Sequence, residues 1–242
     1  MKKNSIKKIA ADMYVEQMKW SVWFIGITMT IYLALRIMGR LLNFTFTQNS
    51  LVFSAGSSMV YMFVIGIIAG ATFLPQFLKL GVTRTQWFYG TVVSAILKSV
   101  TIALIFSVFA GIEYLLSILF DFTADGSILN NFPASFLLYS SNLFVGYLTG
   151  WLINVGYYKF NWIVGFLFIA LSVGFNAAYA LIWENSIITL YSGNLSNFDS
   201  NLEALTPAGL SFPLSVSGTL GIILLILFII RALTRKISVK IK

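Results

Sequence analysis

Six stretches of this chain are each long and apolar enough to cross a lipid bilayer, and that property constrains its fold more than any other. A crossing helix needs about 20 mostly apolar residues, because about 30 Å of hydrocarbon is covered at about 1.5 Å per residue. The stretches run from Trp20 to Met38, Ser57 to Leu78, Phe88 past Gly111 to Phe120, Phe132 to Tyr158, Trp162 to Trp183, and Phe212 to Ile230. No Pro-rich or Ser-rich linker and no repeat by residue identity divides them, so 1–242 reads as a single domain. The expected fold class is all-α: a polytopic membrane protein with six transmembrane helices.

Composition removes most other functions. Apolar residues make up 58% of the chain and charged residues 10%, against about 45–50% and about 25% in soluble domains. A soluble enzyme, a disordered tail and a nucleic-acid-binding domain are all excluded on that ground. There is no Cys and no His, so thiolate nucleophiles, His bases, the usual zinc sites and disulfides are excluded too. No G-x-x-x-x-G-K-[ST] phosphate loop occurs, and no two carboxylates share the centre of a span. The chain reads as a non-enzyme with no cofactor or metal of its own.

The net charge of +8 reports topology rather than nucleic-acid binding. With the N-terminus inside, Lys2, Lys3, Lys7, Lys8, Lys19, Lys79, Arg84, Lys159, Arg231, Arg235, Lys236, Lys240 and Lys242 all fall inside. Only Arg36 and Arg40 fall outside, and Lys98 lies within the third span. Glu113, Asp121, Asp125, Glu184, Asp199 and Glu203 cluster at or beyond the opposite ends. The positive-inside rule therefore predicts both termini in the cytoplasm. The first apolar run follows a charged stretch without a small-residue cleavage site, which predicts no cleaved signal peptide.

Between the spans, Ser5 to Trp20 has helical period. Ile6, Ile9, Ala10, Met13, Gln17 and Trp20 share one face, opposite Lys8, Asp12, Glu16 and Lys19. This predicts an amphipathic helix lying along the inner leaflet, with generic anchoring and a dedicated role both open. The link Lys79 to Gly90 reads KLGVTRTQWFYG. Gly81 is placed to end the second span, Thr83 to cap a short helix and Gly90 to close it. Arg84 beside Trp87, Phe88 and Tyr89 has the makeup of a docking surface, and equally of an ordinary basic turn with an aromatic belt. The segment Glu184 to Ser211 is the longest between spans and is expected to form an outer lid of shallow helices. Sequons at Asn43 and Asn194 say nothing about mechanism.

Polar groups at membrane depth are functional candidates, because each costs free energy there. Lys98 lies about 12 Å past Gly90 along a helix, within reach of the inner headgroups by snorkelling, or else in a wet cleft. Glu113, about 22 Å further on, is placed at the outer interface. Asn142, Asn154 and Asn176 either line a path with Lys98 or bond neighbouring helices. Gly66-x-x-x-Gly70 and Gly146-x-x-x-Gly150 allow close helix approach, within one bundle or between two copies.

The order of these parts resembles the permease subunits of type-two ABC exporters, which have six spans and no fused ATPase. The resemblance is carried by several parts: the amphipathic helix ending in Lys19-Trp20, the GVTRTQWFYG stretch, the Gly-rich fourth span, the long segment before the last span, and the basic tail. It implies that 1–20 is a connector helix, bearing Ile6, Ile9, Met13, Lys19 and Trp20. It implies that 79–90 is a coupling helix seated on a partner, through Gly81, Val82, Thr83, Arg84, Thr85, Gln86, Trp87 and Phe88, and that 184–211 is re-entrant. The partners implied are a separate ABC ATPase dimer holding ATP and Mg, a second permease chain, the lipid bilayer and a peptide substrate. The aromatic, Asn- and Lys-bearing chain is similar to Gram-positive peptide exporters, including lantibiotic-immunity permeases and the exporter of phenol-soluble modulins, which implies a bacterial plasma membrane. The competing reading is a stand-alone channel or bacteriocin-immunity protein.

Overall fold

The computed structural model describes residues 2–42, 48–120, 132–160, 162–183 and 212–235, and every regular element among them is a helix. These are α1 (Lys2–Leu41), α2 (Ser50–Ile68), a π-helical segment (Ala69–Phe73), α3 (Leu74–Lys79), α4 (Arg84–Phe120), α5 (Phe132–Lys159), α6 (Trp162–Ile182) and α7 (Phe212–Thr234). With α2, the π segment and α3 forming one continuous rod, six helices have the length and apolarity to cross a membrane. The chain is a multi-pass membrane protein.

Three boundaries differ from the sequence expectation, each for a local reason. No break separates the amphipathic stretch from the first span, because α1 runs unbroken through Trp20 for 40 residues, about 60 Å. Charges confined to one face do not end a helix. The second span starts at Ser50, since the Asn49 side chain accepts a hydrogen bond from Val52 N at 3.0 Å and caps it there. Gly90 does not end the link helix either. It lies inside α4, and a β-carbon there would stand 2.6 Å from Ile9 Cγ2, so this glycine is a contact point for α1.

The π segment precedes Pro75, which occupies the first turn of α3. Proline brings no N–H and crowds the carbonyl one turn back, so the wider turn falls where a regular helix would be strained.

Packing centres on α5, which touches α2, α4, α6 and α7. The two glycine pairs meet each other along the parallel α2–α5 seam. A β-carbon at Gly66 would overlap the Tyr147 carbonyl, one at Gly150 the Phe63 carbonyl, and one at Gly146 would come to 3.1 Å from Met59 O. The small residues thus serve this bundle's interior, bringing the two backbones into direct contact. Tyr139 adds hydroxyl bonds to Ser54 (2.8 Å) and Ser58 (3.0 Å) across the same seam.

The second long pairing is α1 with α4, also parallel. Residues about 80 apart lie side by side: Met13 with Thr91, Tyr14 with Thr101, Gln17 with Lys98.

Candidate functional site

The turn between α3 and α4 is four residues, Leu80 to Thr83, and it is locked at both ends. Gly81 has φ +77, the left-handed conformation that a side chain would strain. Its N–H bonds Leu78 O at 3.1 Å and the Val82 N–H bonds Phe77 O at 3.1 Å, which closes the helix as a Schellman motif. On the other side Thr83 Oγ1 accepts from Gln86 N (3.3 Å), and Gln86 Oε1 accepts from Thr83 N (3.1 Å). That reciprocal pair is a capping box opening α4. Gly81 and Thr83 act as the sequence anticipates.

The aromatic part of the link behaves differently. Trp87 and Phe88 are buried, packed on Trp151 of α5 at ring distances of 5.3 and 5.5 Å. As placed here they cannot face a docking partner, since helical geometry turns both inward one turn after the cap. What the link presents is Gly81, Thr83 and Thr85, with Val82, Arg84 and Gln86 half-exposed. α7 also reaches this end. Arg84 Nη1 donates to Arg235 O (3.2 Å), Arg231 Nη2 donates to Thr85 Oγ1 (3.0 Å), and the Arg231 guanidinium lies over Phe88 and Tyr89.

The N-terminal stretch of α1 docks here too. Ile9 and Met13 are buried against α4 and Ile6 is half-buried. Lys19 pairs with Glu16 at 2.7 Å on the exposed side. The buried stripe continues through Gln17 and Ser21, so Trp20 falls off it and stands 43% exposed beside Phe73.

Lys98 does not snorkel. It is fully buried, bonded to Gln17 Oε1, with its ammonium 4.2 Å from the centroid of Tyr147. Gln17 is also fully buried and its Nε2 has no hydrogen-bond partner. Among the described residues no carboxylate pairs with Lys98. Its four-carbon stem lies toward α1 and α5 rather than along α4, and that direction keeps it from the headgroups.

The three asparagines have different surroundings. Asn142 is buried within α5. Asn154 abuts Gly70 in the π segment. Asn176 turns its Nδ2 back to Ser172 O at 2.9 Å on its own helix. Sequence reading missed the far-end cluster, where half-buried Glu113 accepts from Ser50 N (3.1 Å), Tyr32 donates to Gln48 O (3.1 Å) and Arg36 donates to Tyr32 (3.0 Å). An acid at the start of α2 suits the positive end of that helix, and the lone Glu113 in an apolar run was the available signal. The 184–211 segment, both sequons and the tail beyond 235 lie outside the described residues.

No protein-family model, curated protein or solved structure matches this chain. Fold and site together define an all-helical, six-span membrane protein whose α3–α4 turn is capped on both sides.

Proposed function

We propose that this chain is the transmembrane subunit of an ATP-driven exporter of the type-two ABC kind, moving amphipathic peptides out of the cell or its inner leaflet. One observation supports the reading above the others: the α3–α4 turn is capped on both sides, and the start of α4 directly behind it is gripped by α1, α5 and α7. Gly90 meets Ile9, Trp87 meets Trp151, and Arg84 meets the end of α7. A push on residues 80–86 is therefore delivered to several spans at once, as a coupling element requires. In this reading the turn faces the cytoplasm of a bacterial cell, and both termini lie on that side. The partner is a dimeric ATPase that carries the ATP and Mg, and a second permease chain completes the path. The exposed tip Gly81, Thr83 and Thr85 makes the contact, with Trp87 and Phe88 acting as the anchor behind it. An amphipathic peptide already partitions into the bilayer interface, so it reaches a lipid-facing entrance more readily than an aqueous one.

Purification from native membranes tests this. A nucleotide-hydrolysing subunit should co-purify in fixed ratio, and reconstituted vesicles should move an amphipathic peptide only with ATP. Peptide movement by the isolated chain without nucleotide would overturn the proposal in favour of a stand-alone channel.

A further inference from the structure

The geometry points to a phosphate-binding site for an acidic phospholipid headgroup, formed by Arg84, Arg231 and Arg235 where α7 meets the start of α4. Three arginines meet there, since Arg84 Nη1 donates to the Arg235 carbonyl and Arg231 lies one helical turn before Arg235, and the hydrogen-bond partners of the Arg84 and Arg231 guanidinium groups are neutral. Arg84 Nη1 reaches a carbonyl, Arg231 Nη2 reaches the Thr85 hydroxyl, and Arg231 Nη1 is buried without a hydrogen bond. Among the described residues no carboxylate pairs with Arg84, Arg231 or Arg235. Guanidinium donors with only neutral partners among the described residues suit an added anion.

Two features identify the anion. The first is fixed geometry: the Arg231 guanidinium carbon sits 5.2 Å from the Phe88 ring centre and 5.6 Å from that of Tyr89. Those two rings stand edge to face. A guanidinium held by aromatic faces is pre-organised, which suits the bidentate geometry of phosphate oxygens. Thr85, by accepting from Arg231, keeps its own hydroxyl hydrogen available to the same anion.

The second is depth. Arg231 directly follows the apolar run of α7. Tyr89, 49% exposed, is a residue type that sits at headgroup level. Phosphodiesters are the anions present at that depth, and basic pockets between helix ends at a membrane surface bind them. The site uses only charge and depth, so it goes beyond the export proposal and survives that proposal's failure.

Native mass spectrometry of the full chain, with phosphatidylglycerol and phosphatidylcholine in competition, tests the site. Wild-type protein should retain phosphatidylglycerol, and Arg231→Gln should retain it about tenfold less, the change expected from losing one charge-assisted contact. Arg235→Gln, on an exposed side chain, gives a second reading should Arg231→Gln fold poorly. Lys159→Gln removes an equal charge on another helix and should leave retention as in wild type. Equal retention by wild type and both Arg variants, or equal loss in Lys159→Gln, would overturn the site. If inorganic phosphate displaces the lipid completely at millimolar concentration, the site belongs to a free anion and the lipid assignment fails.

Discussion

α5 and α7 make opposite use of the same kind of sequence. The most apolar window of α7 is the most hydropathic of the six spans, yet only 22% of it is buried. The corresponding window of α5 is the least hydropathic, and 78% of it is buried. On α7 a single stripe of Ser215, Thr219, Ile226 and Ile230 faces inward, while Leu220, Leu224, Leu225 and Phe228 face out. α5 buries Ser135, Asn142, Thr149 and three glycines along with Tyr139, Phe144, Tyr147 and Trp151. Lipid is as apolar as leucine, so hydrophobicity does not drive helices together here. Shape and polar contacts decide which helix is central. In a bilayer, apolarity predicts what touches solvent, and smallness predicts the core.

Three measurements would break or sharpen this contrast. The largest difference is expected on truncating an aromatic ring. Trp151→Ala on α5 should cost about 3–5 kcal/mol in unfolding of the solubilised protein, as large core deletions do. Phe228→Ala on α7, with its ring 71% exposed, should change stability by no more than about 0.5 kcal/mol. Comparable losses would mean that α5 is not the packing centre.

Filling glycines comes next. Gly150→Leu would drive a side chain into the Phe63 carbonyl and should cost about 3 kcal/mol, the upper end for overpacking. Gly221 has nothing within 4 Å of a β-carbon, so Gly221→Leu should leave the thermal midpoint unchanged. A tolerated leucine at 150 would show that the seam is loose.

The smallest effect concerns the polar contact beside α5. Gln17→Leu strips Lys98 of its acceptor and should destabilise by about 2 kcal/mol, the cost of leaving a buried polar group unpaired. Adding Lys98→Met should recover most of that loss, which a double-mutant cycle would read as coupling. Simple additivity of the two changes would show that Lys98 and Gln17 act independently.

The helices themselves were legible in the sequence, because a bilayer demands long apolar runs and six are present. Gly81 and Thr83 were legible as well, since a left-handed closing residue and a capping hydroxyl are local requirements. What escaped reading depends on two helices at once. Gly90 looks like punctuation along the chain, and only Ile9 arriving from α1 makes it a packing notch. Trp87 and Phe88 have interface composition, but their direction is set by Trp151, more than sixty residues away. The depth of Lys98 followed from counting along α4, whereas the side it faces depended on Gln17 and Tyr147. The roles assigned by resemblance, from peptide cargo to ATPase partner, rest on the order of parts along the chain, and no local residue pattern encodes them.

The parallel alignment of α1 with α4 has a mechanical consequence. The two rods are pinned at three heights: Ile9 against Gly90, Gln17 on Lys98, and the Tyr32–Arg36 group near Glu113. Members fastened side by side at several levels cannot slide past one another, and a helix does not shorten under load. Displacement applied at one extremity must therefore emerge at the other as a tilt of the pair, which makes them a strut rather than a spring.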